Sequence, residues 1–186
     1  DGTYDSVTVT VTDAAGNVSN TLSVTTFVVD TTAPTFTTSP DDVTVQCSES
    51  TAPSNTGTAL SGDNTATVTS ADTTVAGTGN NSVITRVWTA TDPAGNSSTY
   101  TQTITVVDTT APTFTTSPAN VTVECSASSE PSATGTAVAS DNCDDDVTVA
   151  YADTTEAGVG NNSVITRVWT ATDDNSNSVT YTQTIT

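Results

Sequence analysis

Histidine, lysine and methionine are absent from the 186 residues, and two arginines face 21 acidic residues for a formal net charge of −19. Without histidine or lysine there is no nucleophile–base pair and no Schiff-base lysine, and no glycine-rich phosphate loop opens a helix. Carboxylate pairs occur, but in turns rather than in a cleft, which argues against a glycosidase dyad. The chain therefore reads as non-enzymatic. The charge excludes nucleic acid and anionic membranes as partners and favours cations. No stretch of about 18 apolar residues is present to span a bilayer, and no secretory leader pattern is seen.

What the chain has is repetition. The string VVDTTAPTFTTSP stands at 28–40 and again at 106–118, and NNSVITRVWTATD stands at 80–92 and 161–173. Each copy of the first string ends one β-branched segment, turns through DTTAP and starts another, which is the pattern of a joint between domains. Repetition at a fixed period defines a tandem array. The expected domains are 30–107 and 108–186, each large enough for one thin core, preceded by 1–29, which matches the last part of a repeat. The sequence is expected to be a window of a longer polymer.

Strict alternation in VTVTVT at 7–12 has the period of a half-buried strand. Further strands are expected at 22–29, 43–47, 56–61, 66–70, 82–91 and 97–107, then at 121–125, 134–139, 147–151, 164–172 and 179–186. A Thr-rich strand is expected after each joint. Helical periodicity is absent. Many short strands separated by Gly, Asn, Asp and Pro turns indicate an all-β fold of tandem immunoglobulin-like antiparallel sandwiches, arranged as an extended rod.

On 82–91, Ile84, Arg86, Trp88 and Ala90 share a face that aligns with Val7, Val9 and Val11, and this is the expected inner face. On the last strand Tyr100, Gln102, Ile104 and Val106 face inward. Arg86 and Arg167 are expected to pack on an aromatic ring and pair with a carboxylate at the sandwich edge, a ligand-binding role being the alternative.

The ordered motifs VTVEC, TGTAVASDNC, ITRVWTATD and TYTQTIT with a DTTAP joint resemble hyalin-repeat-like immunoglobulin domains. Such domains form tandem arrays in secreted bacterial surface proteins, including giant adhesion and filament proteins of the Bacteroidota type. The resemblance implies an extracellular, cell-surface or secreted segment whose partners are neighbouring domains of the same chain, with lateral self-association into filaments as a further expectation. It also implies a Cys125–Cys143 disulfide inside the second repeat, which would suit an oxidising compartment. The first repeat has Thr65 where the second has Cys143, leaving Cys47 as a buried remnant or an intermolecular cross-link.

The acids supply the candidate site. Immunoglobulin topology is expected to gather Asp30, Asp63, Asn64, Asp92 and Asn96 at one joint, and Asp108, Asp141, Asn142, Asp144, Asp173 and Asn177 at the next. Ca²⁺ takes about six to eight oxygen ligands in tolerant geometry, and these groups are hard oxygen donors. The competing account is that Asp and Asn simply form turns. Thr makes up about a quarter of the chain, which strand preference alone explains. Asp-(Ser/Thr)-X sequences make Ser6, Thr31, Thr73, Thr109 and Thr154 candidate O-glycosylation sites. The functional expectation is a structural stalk, adhesin or filament segment stiffened by Ca²⁺ at its joints. The alternative is a module that recognises glycan, ice or mineral, and it calls for a divergent, aromatic-rich exposed patch that the sequence lacks.

Overall fold

The structure, a computed structural model, describes residues 1–5, 7–23 and 26–186. Among the described residues the fold is nearly all β. In the leading segment β1 (Gly2–Tyr4) pairs with β4 (Phe27–Val29), and β2 (Thr8–Val9) with β3 (Leu22–Ser23). The middle repeat contributes β5 (Phe36–Thr38), β6 (Val43–Gln46), α1 (Pro53–Thr56), β7 (Leu60–Ser61), β8 (Thr67–Ala76), β9 (Ser82–Thr91) and β10 (Ser97–Val107). Their sheets are β5-β7 and β6-β10-β9-β8. The last repeat contributes β11 (Thr113–Thr116), α2 (Pro131–Thr134), β12 (Val138–Ser140), β13 (Thr148–Ala157), β14 (Ser163–Thr172) and β15 (Ser178–Ile185), with sheets β11-β12 and β13-β14-β15.

Two compact units are distinguished, one made of 1–41, 57–72 and 85–102, the other of 42–56, 73–84 and 103–186. In the first unit Arg86, Trp88, Ala90 and Gln102 are buried, so the face carrying the tryptophan is internal. Arg86 bonds Asp72 at 2.7 Å through Nε and lies 5.9 Å from the Trp88 ring. In the second unit Val45, Ile84, Ile104 and Val106 form a core cluster. There Arg167 bonds Asp153 at 2.7 Å, with Tyr151 at 4.5 Å and Trp169 at 5.8 Å from its guanidinium carbon. Both arginines thus fill the packing role expected of them. Val7, Val9 and Val11, expected on the inner face, are instead 37%, 49% and 66% exposed.

Several strands differ from the sequence expectation. The segments expected at 56–61 and 134–139 are strand only from Leu60 and Val138, and each is preceded by a helical turn that ends at Thr56 or Thr134. Pro53 and Pro131 stand at the first helical position, where a missing N–H costs nothing and φ is already helical. Gly57 and Gly135, at φ +98° and +97°, end the turns against Pro40 and Pro118. Strand β13 runs well past residue 151 because β14 offers ten residues to pair with, from Thr148↔Thr172 to Ala157↔Ser163. The segment 121–125 is reduced to a single parallel bridge, Val121↔Ile185. Part of the strand expected at 22–29, and Ser6, lie outside the described residues.

Candidate metal centre at the second joint

The second joint is built by three turns that meet where β10 ends, all within the second unit. The DTTAP segment opens with an Asx turn, in which Asp108 Oδ1 accepts from Thr110 N–H at 3.0 Å. The DNC turn is closed by Asp141 Oδ1, which accepts from the N–H groups of Cys143 at 2.8 Å and Asp144 at 3.3 Å. The turn after β14 is held by Asp173, whose two oxygens accept from Asn177 N–H at 2.7 Å and Asn177 Nδ2 at 2.8 Å. Carboxylates that satisfy their own backbone fix these turns, and the fixed turns bring the acids together.

Carboxylate oxygens of Asp108, Asp141 and Asp173 lie within 4.8 Å of one another, with Asp108 and Asp173 buried. Asp141 Oδ2 is buried without a hydrogen-bond partner. Among the described residues no lysine or arginine forms an ion pair with this trio. Oxygens bound to one Ca²⁺ at about 2.3–2.6 Å stand no more than about 5 Å apart, so the spacing fits a single ion. All three donors are hard oxygens, the class that Ca²⁺ prefers. Sulfurs of Cys47 and Cys143 also lie near Asp108, but they are joined to each other and are not thiolate ligands.

That bond corrects the expected pairing. Cys47 is disulfide-bonded to Cys143 with Cα atoms 5.9 Å apart, and Cys125 is free and exposed. The physical reason is the length of a strand. Cys143 lies at the end of the repeat where Asp173 and Asn177 meet Asp108, whereas Cys125 lies beside the other end, where Val123 N–H bonds Thr186 O. The eight residues of β15 separate these ends, a distance of about 25 Å at 3.3 Å per residue. Cys47, by contrast, is carried to the joint by the parallel pairing of β6 with β10, and its N–H bonds Val107 O at 2.9 Å. The disulfide therefore ties the first repeat to the second.

The remaining expected ligands take other roles. Asn177 donates to Asp173 and to Asp108 O, so it braces the turn and presents N–H groups to the cluster. Asn96 does the same for Asp92 at 2.9 Å and Asp30 O at 3.0 Å. Asp144 is buried but spends its oxygens on the N–H groups of Asp146 and Asp174. Asn142 is exposed and directs Nδ2 to Cys143 Sγ. Asn64 is exposed.

At the first joint Asp30, Asp63 and Asp92 do not converge as the second trio does. Asp1, Asp30 and Asp63 line a shallow depression of about 300 Å³. The bond from Thr65 N–H holds the Asp63 carboxyl below its ordinary value, and the bond from the Asn96 side chain does the same for Asp92. Several bracing positions differ between the joints, among them Ala94 where the second has Asn175 and Thr65 where it has Cys143. Asp13 aligns with Asp92, an offset of 79 (92 − 13), which places Gly2 where the second joint has Asn81. Asn81 is a central brace that the sequence reading missed. Its Oδ1 accepts from Asp108 N–H at 2.7 Å and its Nδ2 donates to Asn175 Oδ1 at 2.7 Å. Asn80 donates to the carbonyl of Cys143, and Asn175 donates to Gly79 O at 2.6 Å. The available signal was the recurrence of the NNS string in both repeats, where a mere turn would tolerate other residues.

Of the candidate modification sites, Thr73 and Thr154 are exposed on β8 and β13. Thr31 bonds Asp1 and Thr109 bonds Gln46 through their hydroxyls. Ser6 lies outside the described residues.

Comparison with known proteins adds little to this geometry. No family model matches the chain, and no curated protein matches it. Among solved structures the chain is similar to protocadherin gamma C5 EC1-3, at 14% identity and TM-score 0.33, over 98% of this chain and 77% of that one. Among the described residues no helix is long and apolar enough to cross a membrane.

Proposed function

We propose that this chain is a non-catalytic structural segment of an extracellular repeat-array protein, a stalk, adhesin or filament of the hyalin-repeat-like kind, whose second joint is locked by Ca²⁺. The observation that carries the reading is the convergence of Asp108, Asp141 and Asp173 around an unpartnered buried carboxylate oxygen, next to a disulfide that crosses the same joint. Three acids held together by their own turns repel one another, and a divalent cation converts that repulsion into attraction. The disulfide supports an oxidising, extracytoplasmic setting. Repeats 30–107 and 108–186 are the domains of the array. Thr73 and Thr154 are the candidate glycosylation sites best placed for a modifying enzyme.

In this role Asp108, Asp141 and Asp173 hold the ion, and Asn81, Asn175 and Asn177 keep the turns in place. The ion supplies charge neutralisation and cross-linking of three segments, not reaction chemistry. Thermal melts of the chelated chain with and without added CaCl₂ test the proposal. A raised melting temperature that Asp141→Asn removes supports it; identical melts in both conditions refute it.

A further inference from the structure

Residues at the far end of the second repeat correspond one for one to those that form the joint at the end of the first. Cys125 corresponds to Cys47, Val123 to Val45, Asn161-Asn162 to Asn80-Asn81, and Ile165 to Ile84. At the joint Val45 and Ile84 are buried in one cluster with Ile104 and Val106, and Cys47 is bonded. At the far end Cys125 is free and Asn161-Asn162 stand beside it.

We propose that this end is a docking face for a further copy of the repeat and that Cys125 is its covalent anchor, oxidised with the cysteine of that copy's DNC turn. The inference rests on the array reading above and specifies how one repeat is fastened to the next. Two independent features point to the occupant. First, the same cysteine position in the first repeat takes the same partner, a DNC cysteine 96 residues on. Second, the asparagine pair that grips the incoming turn at the joint, through Asn80 to Cys143 O and Asn81 to Asp108 N–H, recurs as Asn161-Asn162 beside Cys125. Each repeat thus offers a strand-end cysteine forward and receives one at its DNC turn. Thr65 in place of a DNC cysteine marks a joint without this link.

Bond formation is thiol–disulfide exchange. The Cys125 thiolate attacks a small-molecule disulfide such as oxidised glutathione, releasing one thiol. The DNC thiolate then displaces the second, so two protein thiols become one disulfide while one external disulfide becomes two thiols.

The test extends the full chain after Thr186 with a second copy of 106–186, which continues the TIT-VVD register, and oxidises it in a glutathione buffer. Thiol titration in denaturant and non-reducing peptide mapping are then read against the unextended chain. The unextended chain is expected to show one thiol, at Cys125, and a Cys47–Cys143 peptide. The extended chain, with five cysteines, is expected to show again one thiol, now in the appended strand, and a new peptide joining Cys125 to the appended DNC cysteine. Changing that appended cysteine to serine should return the Cys125 thiol and raise the count to two. The proposal is overturned if Cys125 stays titratable in the extended chain, or if the appended cysteines pair with each other. Loss of Cys47–Cys143 in the unextended chain would instead overturn the array joint itself, which separates the two failures.

Discussion

Arg86 and Arg167 are the whole cationic complement of a chain with 21 acids, and both are almost fully buried. A buried guanidinium is tolerable only when paired and hydrogen-bonded. Arg167 meets this with Asp153, Thr134 Oγ1 and Ser129 O, at 2.7–3.0 Å, and the Asp153 bond holds its pKa above the ordinary arginine value. Asp153→Ala is expected to destabilise the chain by about 2 kcal/mol, below the roughly 3–5 kcal/mol of a fully buried pair, because Asp153 is 29% exposed. Urea melts would measure it. The bond to Arg86 holds the Asp72 carboxyl below its ordinary value. Its contribution is therefore full above about pH 4, the unfolded carboxylate value, and is lost as pH falls through the lower folded one. The stability gap between the unaltered chain and Asp72→Asn should be constant near neutrality and close in acid; a gap that widens in acid would contradict the assignment.

Among the elements, the two proline-led helical turns show how backbone geometry sets limits that composition hides. A Cβ at Gly57 would meet Pro40 Cβ at 2.7 Å, and one at Gly135 would meet Pro118 Cβ at 2.9 Å, both at positive φ. Gly57→Ala and Gly135→Ala should each cost on the order of 1–3 kcal/mol, read as lowered melting temperatures. Of the long strands, β9 and β10 coincide with the expected 82–91 and 97–107, because alternation reports directly which residues face the core, whereas β8 and β13 run past the expected 66–70 and 147–151. The helical turns were not, since four residues carry no periodicity. The acid trio at the second joint was legible because its members sit at repeated turn positions. Its disulfide was not, because the family resemblance implied pairing inside a repeat while the two cysteines stand at opposite ends of β15. Asn81 and Asn175 escaped because a turn asparagine looks the same in sequence whether it faces solvent or another turn.

For the whole molecule, the account makes the second joint a composite of a covalent tie and a cation site. Closing a loop of 96 residues stabilises by roughly 4–5 kcal/mol on the chain-entropy model, so reduction should lower the melting temperature, and Cys143→Ser should match the reduced chain. Cation and disulfide both hold the DNC turn, so each should strengthen the other's effect, and Ca²⁺ should bind more weakly after reduction. The most direct measurement is calorimetric titration of the chelated, oxidised chain with CaCl₂, alongside Asp141→Asn. The account predicts saturable heat with one ion at the Asp108–Asp141–Asp173 site, absent in the variant, and a variant more stable than the unaltered chain when no calcium is present. No binding heat in the unaltered chain, or the same heat in both, would contradict it.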